Sequence, residues 1–305
     1  MRTVFKWIGR AMGGLVVVVL LGLLVVYLLS ERRLNRVYDL RMEHVVIAGD
    51  QGTIDRGRHL AVAVTMCSEC HGDDFGGKVV LDEPIGHVEA PNLTSGEGSV
   101  VRNYTDEDWV RAIRHGVDRY GRALMVMPSK DYHALSDDEV NAIVCYIRSL
   151  PPVNSVHERS WLTPLGRLLY VTGQLPVLSA EIMDHGADRD AAPAPGPTVE
   201  YGRHMAAMGG CVGCHGEDLA GGPIPGGPPT WPPAANLTPD PAHGIGKWTE
   251  ADFFRALREG KRPGGDTISA VMPWRYTAQL TDDDIRALWL YLRTVPPLER
   301  PASAR

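Results

Sequence analysis

One pentapeptide, present twice, constrains this chain more than any other feature. Cys67-Ser68-Glu69-Cys70-His71 returns 144 residues later as Cys211-Val212-Gly213-Cys214-His215, and each copy is followed by glycine and an acid (Gly72-Asp73, Gly216-Glu217). The surroundings repeat with it. Arg56-Gly57-Arg58-His59-Leu60 answers Tyr201-Gly202-Arg203-His204-Met205, and Ala90-Pro91-Asn92-Leu93-Thr94 answers Ala234-Ala235-Asn236-Leu237-Thr238. Thr105 to Gly116 matches Thr249 to Gly260, and Ser136 to Pro152 matches Thr281 to Pro297, where the offset has grown only to 145. A repeat this regular implies a duplicated unit of about 100 residues.

The pentapeptide carries its own chemistry. C-x-x-C-H is the attachment signature of c-type haem. Two thiols one short turn apart can add across the two vinyl groups of a porphyrin. The histidine after the second thiol is then held beneath the iron as a proximal ligand. A zinc site would need four ligands closing a tetrahedron, which one tight pentapeptide arranges poorly. A thioredoxin-like pair would need a βαβ context, and the sequence offers none. Of the five cysteines, four belong to these motifs. Cys145 is left alone in an apolar helical stretch, opposite Leu290 of the second copy, and reads as a small buried hydrophobe.

Each unit reads as helical. Thr105-x-x-Asp108 and Thr249-x-x-Asp252 mark helix starts, and Ser136-x-x-Glu139 is a capping-box pattern. Val140, Ile143, Val144 and Ile147 then share one face, as do Ile285, Leu288, Trp289 and Leu292 in the second copy. Both runs stop before a Pro-Pro pair that cannot continue them. The acidic runs 106–108 and 282–284 suit first helical turns, where the dipole favours negative charge. No segment reads as a convincing strand.

A second axial ligand should come from the far side of each unit. Met127-Pro128 and Met272-Pro273 occupy matching places, 60 and 61 residues after the first cysteine of each motif. A thioether opposite an imidazole raises the reduction potential, and the proline stiffens the loop that presents it. Met125 is the nearest competitor, but its counterpart is Ala270, and Met208 sits too close to Cys211 to reach the opposite face of a porphyrin. His59 and His204 lie on the helix leading into each motif, a poor position for a distal ligand. His115 and His133 have no matching histidines and read as surface or loop residues.

The amino terminus carries Arg2, Lys6 and Arg10, then an uncharged Leu- and Val-rich run from Ala11 to Ser30. About twenty apolar residues suffice to cross a bilayer as one helix. The run is long for a signal peptide and lacks a small-x-small site before Glu31-Arg32-Arg33, so an uncleaved anchor is expected. The chain has a net charge of −6, yet residues 1–43 hold seven basic and three acidic side chains, so the remainder is decidedly acidic. No basic stripe suited to nucleic acid is present. Trp161 to Ala180 is apolar but interrupted by Pro164, Arg167 and Pro176, which predicts a short helix across the junction of the units rather than a second span.

Together the motifs resemble the class I c-type cytochromes in their membrane-anchored dihaem form. The resemblance covers residues 48–152 and 198–299. In that family a first-helix glycine lets the last helix cross closely against an aromatic, a pattern that Gly57 with Ile143 and Tyr146, and Gly202 with Leu288 and Tyr291, would match. The layout is also similar to cytochrome subunits of periplasmic alcohol and gluconate dehydrogenases, which commonly carry three haems and a C-terminal anchor. The implied fold is all-α, with two tandem class I cytochrome c domains behind an N-terminal transmembrane helix. The expected division is an anchor at 1–33, a lead at 34–47, domains at 48–152 and 198–299, a linker at 153–197 and a tail at 300–305.

Two covalently bound haem c groups are expected, with thioethers at Cys67, Cys70, Cys211 and Cys214 and axial pairs His71/Met127 and His215/Met272. Thioether attachment in this family takes place outside the cytoplasm. The expected location is therefore a bacterial cytoplasmic membrane crossed once, with the soluble part in the periplasm or cell exterior. The expected role is single-electron transfer, without catalysis, between respiratory partners: a dehydrogenase, a quinol-oxidising complex or a terminal oxidase. The alternative is a dihaem peroxidase-like enzyme, which needs one iron with an open distal position.

Overall fold

The computed structural model describes residues 2–187 and 191–300. Helix α1 (Arg2–Leu34) is a single uninterrupted rod. At 1.5 Å per residue its 33 residues extend about 50 Å. Its most apolar stretch is not buried against the rest of the chain, and it is long and apolar enough to cross a membrane.

The first repeat begins at α2 (Gln51–His59), capped by Asp50, whose side chain accepts from the Thr53 amide at 3.0 Å. The helix runs on through one π-turn, Leu60–Val64, into α3 (Cys67–His71). A hairpin follows, β1 (Lys78–Glu83) and β2 (Gly86–Ala90), and then α4 (Asp106–His115), α5 (Ser129–Tyr132) and α6 (Asp137–Ser149). Past α6 come β3 (Trp161–Leu162), α7 (Pro164–Val171) and α8 (Ser179–Ile182). The second repeat consists of α9 (Val199–Met208), α10 (Cys211–His215), α11 (Glu250–Glu259), α12 (Trp274–Thr277) and α13 (Asp282–Leu292).

The expected helix starts are found. Thr105, Ser136, Thr249 and Thr281 each close a capping box with Asp108, Glu139, Asp252 and Asp284. A good N-cap is worth about 1 kcal/mol, and these four also aim their acids at the positive end of the helix dipole. In both repeats the first helix crosses the last at a glycine. A Cβ on Gly57 would collide with the Ala142 carbonyl and one on Gly202 with the Ala287 carbonyl, with the Tyr146 and Tyr291 side chains next in line. The close partner is thus the last helix's backbone, one residue before Ile143 and Leu288. One continuous core joins the repeats, so that Leu60, Val64 and Ile143 belong to the same apolar cluster as Tyr201, Met208 and Leu288.

The fold is largely helical, but it is not free of strands as the sequence reading expected. The strands β1, β2 and β3 form a small antiparallel sheet in that order. Lys78 pairs with Ala90 and Glu83 with Gly86, with a bulge between Val79 and Leu81, and Gly86 also pairs with Leu162. Strands β1 and β2 are short and carry charged residues, and β3 comes from a segment some seventy residues further along. The stretch after Trp161 also departs from expectation. Its helix α7 does not bridge the two repeats; it docks on the end of α1. Arg167 donates to the Ser30 hydroxyl at 2.8 Å, meets Glu31 at 2.7 Å and lies over the Tyr27 ring. Of the expected tail, only Arg300 lies within the described residues.

Candidate functional site

The two pentapeptides form matching single-turn helices, and the backbone before and after each is matched as well. Met66 and Gly210, which precede them, both take the left-handed conformation, with φ of 50° and 68°. Phe75 and Leu219 repeat the device at 57° and 58°. Within this frame each histidine is oriented by the same bond. The Nδ1 of His71 lies 2.9 Å from the Pro91 carbonyl, and that of His215 lies 2.7 Å from the Ala235 carbonyl. Anchoring Nδ1–H on a backbone carbonyl fixes the tautomer and leaves Nε2 with its lone pair free to ligate. Both rings are buried, and burial pushes His71 down to about 4 and lowers His215 as well. Neutral imidazole is the ligating form.

The loop that carries the anchoring carbonyl is itself locked. Asn92 accepts from the Thr94 amide at 2.8 Å and donates to the Val153 carbonyl at 2.6 Å. Asn236 does the same with the Thr238 amide at 2.8 Å and the Leu298 carbonyl at 2.8 Å. Both asparagines are almost wholly buried. Both belong to the repeated Asn-Leu-Thr stretch, but the carbonyls that lock them lie some sixty residues away and leave no local sequence signal.

Cys67, Cys70, His71 and Met127 line one cavity of about 750 Å³. Its walls include Trp109, Ile113, Leu135 and Ile143, and Arg122 and Arg159 also line it. An apolar slot of this size, with two thiols and an imidazole on one side, a thioether among its lining and two guanidinium groups to meet carboxylates, fits a porphyrin with its two propionates. Burial raises the thiols, Cys67 to about 11 and Cys211 to about 12. As free thiols, before any attachment, they differ in this from the low-pKa thiolates of redox or metal sites. Met125 lines the same cavity, but it packs with Leu162 and Tyr170 near α1, whereas Met127 packs on the main core. Met272 and Cys211 both pack on that core.

The remaining expectations fare unevenly. His59 and His204 face neither motif; they reach across between the repeats, His59 to Asp284 at 2.8 Å and His204 to Glu139 at 2.9 Å. His115 is not a surface residue. It is 2% exposed on α4 and lies 3.1 Å, Nδ1 to Nδ1, from His185. His133 is half-buried with its ring against His115. Cys145 is only half-buried and its thiol donates to Asn141 Oδ1 at 3.4 Å, so it is no core hydrophobe.

The repeats meet through the two regions that matter. Arg275, just after Met272-Pro273, pairs with Glu69 inside the first pentapeptide at 2.8 Å. Lys130, just after Met127-Pro128, pairs with Glu217 beside the second at 2.8 Å. Asp131 lies close against Gly210 and Gly213, and burial raises its carboxyl to about 6. Each methionine loop therefore abuts the attachment peptide of the other repeat.

Comparison with known proteins agrees with this geometry. Residues 52–147 match the family described as cytochrome c oxidase, cbb3-type, subunit III, and residues 199–296 match the family cytochrome c. The cytochrome c subunit of a quinone alcohol dehydrogenase from Gluconacetobacter polyoxogenes is 31% identical over 82% of this chain and 57% of its own length. The cytochrome subunit of fructose dehydrogenase from Gluconobacter japonicus is 29% identical over 80% of this chain and 53% of its own. The chain thus spans little more than half the length of these relatives. A diheme cytochrome c-type protein of Cereibacter sphaeroides is 25% identical over 91% of this chain and 98% of its own length.

Proposed function

Because the chain is a dihaem c-type cytochrome, an electron-transfer protein with two covalent haem c groups, we propose that it is a membrane-tethered relay with both irons six-coordinate. Helix α1 is the tether in a bacterial cytoplasmic membrane, and the repeats stand on the periplasmic side. His71 with Met127 and His215 with Met272 are the axial pairs. The observation that carries this reading is the doubled site: in each repeat a buried neutral imidazole, tied through Nδ1 to a backbone carbonyl, shares its core with a Met-Pro methionine.

A bound haem would supply a one-electron couple, and ligation by an imidazole and a thioether from this chain would raise its potential. The protein's part is to hold the ligands still. The locked Asn92 and Asn236 loops and the helix crossings at Gly57 and Gly202 resist rearrangement when the charge on the site changes. Trp109, Ile113, Leu135 and Ile143 give the first site an apolar wall. The juxtaposition of each methionine loop with the other repeat's attachment peptide supports passage of the electron from one site to the other within the chain. The relatives' names support a dehydrogenase as donor; a quinol-oxidising complex as donor, or a terminal oxidase as acceptor, fits the same chemistry. The protein then acts as a carrier or as the cytochrome subunit of an oxidoreductase, not as an enzyme by itself.

Optical spectra of the purified protein, ferric and ferrous, with and without carbon monoxide, test this. Two low-spin haems, the weak ferric methionine-to-iron band and indifference to carbon monoxide are expected. A high-spin or carbon monoxide-binding haem in the wild-type protein would instead support the peroxidase-like alternative.

A further inference from the structure

The backbone leading into Met127 adopts a conformation its own sequence disfavours. Val126 has φ +65°, in the left-handed region where a β-branched residue is a true outlier. Such strain persists only where the surroundings over-determine it, and it gathers at functional sites. Val271, the matching residue before Met272, does not share the conformation.

What holds Val126 comes from the segment between the repeats. Its amide donates to the Val177 carbonyl at 2.7 Å. The Met127 carbonyl accepts from the Ser179 hydroxyl at 2.7 Å and from the Ser129 amide at 2.9 Å. Leu175, Val177 and Leu178 are buried with Met125 beside them. This segment is fastened in turn to α1. Glu181 accepts from Arg33 Nε at 3.1 Å and Nη2 at 2.8 Å, and Arg33 covers the Tyr170 ring at 4.2 Å while donating to the Tyr170 carbonyl at 3.3 Å. The loop around Met272 is closed locally instead: its amide donates to the Ser269 carbonyl at 3.0 Å and its carbonyl accepts from the Trp274 amide at 2.7 Å.

We propose that Val177–Glu181 is a strap that positions Met127 at the first haem, and that Arg33 sets its grip, so that the seating of α1 tunes the ligation and potential of that haem alone. The proposal rests on Met127 being an axial ligand. Ser179, Glu181 and Arg33 are positioning residues, acting through the backbone of the methionine loop. A contact chain of three side chains then joins the apolar helix to one of the two redox centres. The second centre has no such connection among the described residues.

The test uses the full chain, purified in detergent with two haems bound, carrying Ser179→Ala, Glu181→Gln or Arg33→Gln, with Met127→Leu and Met272→Leu as references. Potentiometric titration, the ferric methionine band, carbon monoxide binding by the ferrous protein and hydrogen exchange over residues 124–128 are read together. The expected result is a lowered potential and carbon monoxide binding at one haem only. Exchange at the Val126 amide should rise about ten-fold, the equilibrium equivalent of losing one hydrogen bond. The Met272→Leu protein should leave that exchange unchanged. Reversal of the pair, Arg33→Glu with Glu181→Arg, should restore the wild-type potential.

If Met127→Leu alters one haem while Ser179→Ala and Glu181→Gln alter neither the potential nor the exchange, the strap is wrong and the ligand assignment survives. If Met127→Leu itself leaves both haems low-spin with the methionine band intact, the ligand assignment is wrong. Ser179→Ala removes a single hydroxyl and keeps the test decisive should the charge variants fail to take up haem.

Discussion

The two repeats carry the same attachment peptide, the same Asn-Leu-Thr loop and the same glycine crossing, yet they are held in place by different means. The first is embraced by the rest of the chain: a three-stranded sheet, the lead from α1, and the segment 175–187 all pack on it. The second relies on its own short turns and a run of proline and glycine between Gly221 and Pro233. What they share is the machinery that must touch the cofactor, and what differs is the surrounding support. A duplicated chain can thus keep two similar electron sites while giving each its own environment.

The sharpest way to break the comparison is to remove one proposed proximal ligand at a time. His71→Ala and His215→Ala should each abolish the low-spin spectrum of a single haem, halving the methionine band, with the other haem unchanged. Loss of both bands from one substitution would mean that the repeats are not independent ligand sites. Next in size is the helix crossing. Gly57→Ala and Gly202→Ala force a Cβ into a backbone carbonyl that cannot rotate away. Overpacking of this kind costs about 1–3 kcal/mol, sometimes more. Calorimetry should show a lower melting temperature for both, with the larger loss at Gly202, because the second repeat lacks the outside buttress.

Much of the site was legible because its chemistry is local. C-x-x-C-H, Met-Pro and Thr-x-x-Asp each declare themselves within five residues, and the capping boxes appear where the sequence places them. What was not legible depends on distant partners. The run Val79-Val80-Leu81 before Pro84 and Gly86 was a usable hairpin signal, but β3 is two residues whose pairing is purely tertiary. His115 looked superficial because its burial is supplied by α8 and the residues after it, with His185 lying against its ring. The reciprocal pairs between repeats left a trace that sequence reasoning passed over. His59 and His204 are 145 apart, and so are their partners Glu139 and Asp284.

Those pairs sharpen the comparison further. Burial alone would raise Glu139 and Asp284; hydrogen bonds from His204 and His59, with capping contacts, hold both below the ordinary carboxylate range. A depressed carboxylate stabilises the fold above its unfolded pKa, roughly 4.3 for Glu and 3.9 for Asp. That contribution is lost as pH falls through the folded value. Removing either histidine takes one partner from a buried acid and leaves it its capping contacts, at a cost of about 1–3 kcal/mol. Denaturant midpoints measured from pH 3 to 7 should fall for His59→Ala and His204→Ala at neutral pH and converge on wild type at the acid end. Curves that stay parallel to wild type would show that the pairs do not set the acid limit.

The outer contacts between repeats should matter least for stability. Lys130–Glu217 and Arg275–Glu69 join groups that are all 44% exposed or more, and exposed pairs are worth about 0–1 kcal/mol. Lys130→Ala and Arg275→Ala should therefore leave the melting temperature within about a degree or two of wild type. They sit, however, immediately after the two methionine-proline steps and clamp each against the opposite attachment peptide. Arg275 has the better grip, because it also contacts the Tyr276 hydroxyl at 2.8 Å, whereas Lys130 makes a single bond. Flash reduction of one haem followed by re-equilibration should therefore slow slightly more in Arg275→Ala than in Lys130→Ala, and the difference should shrink as salt screens the pair. Equal rates in both variants at low salt would mean that these charges orient nothing and that the buried histidine pairs alone set the register of the two repeats.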